Sequence, residues 1–212
     1  EVDLHWVPSI YGNAATGGYW VDVCHGQSTA IPETGKTVHI GCTVDRSLQN
    51  TVAEVKTWLS GHPRQFLVIY LENQLDGKVQ AHDIAASLLR KAFGHLIYRP
   101  RKTLKSGHCA AMPYAKSEAA MARGGHRVLL VGNCGPGTAW NHLVFTRGPK
   151  WNEGGNPTTY GMTACRADRA AHEKHAVFRR WYEESPLLEA ATDATQVLTA
   201  KTTARMVGCG VN

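Results

Sequence analysis

The sequence predicts a parallel α/β fold and, within that class, a (β/α)8 TIM barrel. Three observations carry this. Two apolar runs without alternation, Phe66-Leu67-Val68-Ile69-Tyr70-Leu71 and Val128-Leu129-Leu130-Val131-Gly132, have the composition of strands buried on both faces in a parallel sheet. Before and between them, apolar residues recur at helical spacing. Each run ends in polar residues, Glu72-Asn73 after the first and Asn133-Cys134-Gly135 after the second. An open doubly wound sheet fits the same order. No glycine-rich dinucleotide fingerprint or phosphate loop is present, however, and those are the main functional marks of that alternative, so the barrel is favoured.

Taken in order, residues 1–7 read as a strand and Pro8 to Gly18, rich in Gly, Asn, Ser and Thr, as a loop. Tyr19 to Cys24 reads as a short strand or extended return that delivers His25 to the rim, and Pro32-Glu33-Thr34-Gly35 is turn chemistry. Leu48, Val52, Val55 and Leu59 form the stripe of an amphipathic helix, stopped by Gly61 and Pro63. After the first apolar strand, Ile84, Leu88, Leu89 and Phe93 mark a second helix with Gly94 as its C-cap. Ile97 and Tyr98 suit a short strand, and a weaker helix spans about Ser117 to Arg123. Thr146 to Thr163 reads as a long surface loop, Ala167 to Glu184 as a helix burying Phe178, Trp181 and Tyr182, and Thr199 as the cap of a short helix containing Met206. No repeat, low-complexity tract or linker divides the chain, so residues 1–212 are expected to form a single domain.

A length of 212 residues with 43% hydrophobic content is enough for one sizeable core. The net charge of +6 favours anionic surfaces such as phospholipid headgroups. No Lys/Arg run or basic-aromatic ladder points to nucleic acid. No apolar stretch of about 18 residues is present to span a membrane. Six cysteines without a Cys-x-x-Cys pair argue against structural zinc and for disulfides in an oxidising compartment, hence a secreted protein, expected as a monomer. Connectivity is not readable from six cysteines, although Cys24 and Cys42 are the closest in sequence.

Glu1 and Asp3 share one face of the first strand. Paired carboxylates repel unless a cation, a shared proton or an Arg holds them, or water solvates them. Glu1, Asp3, His25 and Glu72 all fall at or just beyond predicted strand ends, which in a barrel converge on one rim. Three carboxylates there suit Ca²⁺ or Mg²⁺, and a histidine nearby can move protons at neutral pH. Such a set points to hydrolysis or transfer at a phosphodiester. Asn73 is either a residue supporting the ligands or simply solvated. Arg99 is a candidate phosphate partner, with a surface ion pair as the blander role, and Trp140 and Trp151 either line a headgroup pocket or pack within loops.

Glu1-Val2-Asp3, Cys24-His25-Gly26 and Leu71-Glu72-Asn73 after an apolar strand stand in the order found in one family. On these motifs the chain resembles the phosphatidylinositol-specific phospholipase C-like phosphodiesterases, TIM barrels that include the spider-venom sphingomyelinase D branch. Gly41-Cys42-Thr43, Trp58 with His62-Pro63, and Arg180-Trp181-Tyr182-Glu183 followed by Cys209-Gly210-Val211 look like secreted bacterial or fungal members. The resemblance implies that Glu1, Asp3 and Glu72 bind a divalent cation, Ca²⁺ with Mg²⁺ as the alternative, and that His25 is one of two catalytic histidines, with no organic cofactor. It implies a phospholipid-type substrate and contact with a membrane surface. The family's other histidine precedes the Glu-x-Asp motif and its barrel runs on past the Cys-Gly-Val segment. The chain is therefore expected to be an incomplete barrel at both ends, inactive alone, with two exposed strand edges. His5 does not match that other histidine. A phospholipase D or glycerophosphodiesterase-like activity is the rival within the fold, and a noncatalytic phospholipid- or glycan-binding barrel is the rival outside it.

Overall fold

The computed structural model describes residues 1–40, 42, 46–100, 107–147, 151–154 and 178–181. The chain divides into two compact units, Glu1–Arg147 and Gly148–Asn212, and each is described by itself. In the first, the elements in order are β1 (Val2–Pro8), a 3-10 turn (Ala14–Thr16), β2 (Tyr19–Val23), β3 (Gln27–Ile31), β4 (Lys36–Ile40), α1 (Leu48–Gly61), β5 (Leu67–Gln74), α2 (Val79–Phe93), a second 3-10 turn (Gly94–Leu96), β6 (Ala110–Ala111), α3 (Glu118–Arg123), β7 (Val128–Gly132), α4 (Thr138–Asn141) and β8 (Val144–Thr146). The second unit contributes β9 (Trp151–Gly154) and β10 (Phe178–Trp181), a parallel pair.

Six strands form one sheet in the order β2-β1-β5-β7-β8-β6. All neighbours are parallel except β1 with β2, an antiparallel ribbon closed by the Pro8–Gly18 loop. The expected α/β architecture is therefore present. Among the described residues the sheet is open, with β2 and β6 as its edges, and does not close into the barrel.

Alternation along the strands separates the two faces of the sheet. Leu4, Trp6, Val21, Ile69, Leu71, Val128, Leu130 and Val144 pack against Leu48, Val52 and Leu59 of α1 and Ala81, Ala85, Leu89 and Phe93 of α2 in one core. This is the stripe that the periodicity of both helices requires. Ser47 caps α1, its hydroxyl accepting from the Asn50 N–H at 3.2 Å. Gly94, at φ 52°, ends α2 in the left-handed region. The side chains that alternate with these on the strands, Asp3, His5, Tyr70, Glu72 and Gln74, belong to the opposite face.

Several expectations change. The turn at Pro32–Gly35 joins two strands, β3 and β4, that pair antiparallel as a hairpin of their own. Ile97 forms an isolated parallel bridge with Val128 rather than a strand. Residues 151–154 of the expected long loop are strand β9, and residues 178–181 of the expected helix are strand β10. Phe and Trp favour strands, and their spacing of three satisfies a helical stripe equally well, so periodicity over so few residues does not discriminate. The rest of that helix and the short helix at Thr199 lie outside the described residues. Cys24 is disulfide-bonded to Cys42, and Cys109 to Cys134. Among the described residues no helix is long and apolar enough to cross a membrane.

Candidate active site

The register of β1 on β5 decides where the carboxylates meet. Val2 pairs with Leu71 and Asp3 with Glu72, so the beginning of β1 lies beside the C-terminal end of β5. Glu1 and Asp3 come from the entry of their strand, not from its exit, yet they reach the same end of the sheet as Glu72. Carboxylate oxygens of Glu1, Asp3 and Glu72 all lie within 4.8 Å of one another. The sequence placed these three together from motif order, and the structure brings them together.

Asp3 records the electrostatic consequence. Its carboxyl is raised to about 6, first by burial, then by the charges of Glu72 and Glu1, with His25 pulling it partly back. Its Oδ1 is buried and has no hydrogen-bond partner. A buried acceptor left unsatisfied is costly, and here it faces a concentration of negative charge. A hard divalent cation removes both costs at once, so the residues present fit such an ion.

His25 follows β2 in chain order and is exposed. Across the β1–β2 ribbon, the Cys24 N–H donates to the Asp3 carbonyl at 3.3 Å, which sets the neighbouring imidazole close enough to Asp3 to be felt by its carboxyl. The disulfide from Cys24 to Cys42 fixes the same segment covalently. An imidazole beside a cluster of carboxylates has the chemistry to exchange a proton with a group bound between them.

Gln74 was missed by sequence reasoning. Its amide N–H₂ donates to Glu72 Oε1 at 2.9 Å and to the Gly26 carbonyl at 3.3 Å, so one side chain ties a candidate metal ligand to the segment carrying His25. The i, i+2 spacing of Glu72 and Gln74 on a strand was the available signal.

The remaining sequence candidates sit elsewhere. Asn73 projects to the other face of β5, where its Nδ2 lies 2.9 Å from His82 Nε2 and its Oδ1 accepts from the Leu75 N–H. It braces the strand end and does not share the face of Glu72. Arg99 is exposed, and its guanidinium donates to the Gly94 carbonyl at the end of α2. Because α2 runs back against the strands, that carbonyl belongs to the opposite end of the sheet, too far for a phosphate at the carboxylates. Trp140 is fully buried on α4, not in a loop, with its indole N–H donating to the Asn133 carbonyl at 2.9 Å. A residue so enclosed packs the core and offers no face to a headgroup. Trp151 lies in β9.

Behind the carboxylates, His5 is 0% exposed and its Nδ1 lies 2.8 Å from His39 Nδ1. His39 Nε2 lies in turn 3.2 Å from Asp76 Oδ2. Burial, then the neighbouring His39, lowers His5 to about 4, so it is neutral at physiological pH. His82 on α2 is buried, with its pKa lowered chiefly by that burial.

With this geometry in place, similarity to known proteins decides the family. The model of the Rv2075c PI-PLC-like domain matches residues 1–212. The chain belongs to this PI-PLC-like family. Two curated relatives, Uncharacterized protein Rv2075c and Uncharacterized protein MT2135, come from two strains of Mycobacterium tuberculosis. Each is 33% identical over 228 residues, an alignment covering 100% of this chain and 44% of the relative. The chain thus spans less than half the length of the curated relatives it matches. No solved structure matches it.

Proposed function

We propose that this chain is a metal-dependent phosphodiesterase acting on phospholipid-type phosphodiesters, in the manner of a phosphatidylinositol phospholipase C. The observation that carries the reading is the convergence of Glu1, Asp3 and Glu72, with an orphaned Asp3 oxygen among them and His25 alongside. Glu1, Asp3 and Glu72 would hold Ca²⁺, or Mg²⁺ in its place. A divalent cation held there would polarise a phosphoryl oxygen and acidify the attacking hydroxyl. His25, as imidazolium, donates its proton to the leaving oxygen, and Gln74 keeps the Glu72 carboxylate and the His25 segment in register.

The wider reading is a single phospholipase C-like barrel domain over residues 1–212, to which the open parallel sheet contributes. A secreted monomer that meets its substrate at a membrane surface is consistent with two disulfides and a net charge of +6.

The test is turnover of phosphatidylinositol, phosphatidylcholine and a glycerophosphodiester. It uses the 212-residue chain with Ca²⁺, with Mg²⁺ and with chelator. The expected result is cation-dependent cleavage, reduced about 10²–10⁴-fold in His25→Ala. Cleavage undiminished by chelator or by His25→Ala would overturn the proposal, and lipid binding without cleavage would favour a noncatalytic barrel.

A further inference from the structure

The β3–β4 hairpin begins two residues after His25. A two-stranded hairpin holds little stability of its own and takes its position from what anchors it. At its base stand the Cys24–Cys42 disulfide and the bond from Gln74 to the Gly26 carbonyl. Within the hairpin, His39 on β4 reaches across to the sheet: its side chain is 3% exposed and lies between His5 of β1 and Asp76 after β5.

The donors in this chain follow from the partners. The Asp76 carboxylate accepts from His39 Nε2–H, and in the tautomer this bond selects, His39 Nδ1 accepts from His5 Nδ1–H. Asp76 also stands at φ 51°, the only non-glycine residue with positive φ among those described. Asp tolerates that region better than most residues but still at a cost, and strain of this kind persists where the surroundings hold it in place. Asp76 accepts the strained backbone while its carboxylate is directed at His39.

Resting on the phosphodiesterase reading above, we propose that His39, held by Asp76 and bonded to His5, is a positioning residue: it locks the β3–β4 hairpin to the sheet and so fixes His25 beside the carboxylates. His39 touches no substrate in this arrangement. Its contribution is geometric, and misplacing a reacting group by about 1 Å is enough to cost on the order of 10²-fold in rate.

Three variants test it. His39→Ala removes both bonds, His39→Gln keeps one amide donor for Asp76, and Asp76→Gly removes the anchor while relieving the backbone at that position. If Asp76 served only the turn, Asp76→Gly would be neutral or stabilising. The readouts are kcat and KM, Ca²⁺ affinity by calorimetry, and NMR relaxation of the His25 ring. The expected result is a kcat lowered about 10- to 100-fold in His39→Ala and Asp76→Gly, with KM and Ca²⁺ affinity within about twofold, a newly mobile His25 ring, and partial recovery in His39→Gln. Either variant folded with wild-type kcat and a rigid His25 ring overturns the proposal. Should His39→Ala not fold, Asp76→Gly decides the matter. If the wild type cleaves no phosphodiester, the proposed function falls, while loosening of the His25 ring in the variants still decides the positioning role.

Discussion

Substitution of Asp3 by Asn should reshape the dependence of stability on pH, because two buried groups near the site oppose each other in the same window. Asp3 is raised from 3.8 to about 6, so between those values the folded state binds more protons than the unfolded state. Its contribution favours the fold at low pH and is lost as pH rises through 6. His5 is lowered from 6.5 to about 4, so over its window the unfolded state binds more protons. Its contribution is present above 6.5 and is lost as pH falls toward 4. At 1.36 kcal/mol per unit, about 2 units for Asp3 and about 2.5 for His5 give roughly 3 kcal/mol each. Solvent screening at the half-buried carboxylate reduces the Asp3 share to about 1–2 kcal/mol. In chelator, the wild type should therefore lose only about 1–2 kcal/mol as pH falls from 6 to 4, since the Asp3 share offsets part of the His5 share. Asp3→Asn should be more stable than wild type at pH 7 by about 1–2 kcal/mol and should lose about 3 kcal/mol on acidification, with the His5 slope no longer masked. Denaturant melts across pH 4–7.5 measure this. A destabilised Asp3→Asn at pH 7 without metal would refute the claim that unrelieved negative charge resides at Asp3.

Three further outcomes follow from the packing. Gln74→Ala should weaken Ca²⁺ binding about tenfold, read by calorimetry, since the Glu72 carboxylate loses the amide that orients it. A Cβ on Gly135 would stand 2.2 Å from the His82 ring, so Gly135→Ala should cost about 1–3 kcal/mol in a chemical melt and leave Ca²⁺ affinity alone. Trp140→Phe should lose about 1 kcal/mol with its bond to Asn133, again without effect on Ca²⁺ affinity; a large effect there would return Trp140 to the site.

What the sequence made legible is what local periodicity encodes. Helices α1 and α2 bury a stripe at 3.6-residue spacing, and β5 and β7 carry unbroken apolar runs, β7 buried at every position, so each announces itself within a dozen residues. The carboxylate set was legible through motif order. The His5–His39–Asp76 chain was not, since its members lie 34 and 37 residues apart and no local pattern reports a contact between a hairpin and a sheet. Only the turn of that hairpin carried a signal. Asn73 and Trp140 misled for a related reason: sequence places a residue near a strand end, but the pleat decides which face it occupies and packing decides whether it is covered. Residues 178–181 show the limit from the other side, where four residues satisfied two periods and tertiary pairing chose the strand.

The most direct test of the central claim is calorimetric titration of Ca²⁺ into the wild-type chain, Asp3→Ala and Glu72→Gln at pH 7.5. One cation should bind per wild-type chain, and both variants should bind it at least tenfold more weakly. Equal affinity in all three would contradict it, since the cation would then reside away from Glu1, Asp3 and Glu72.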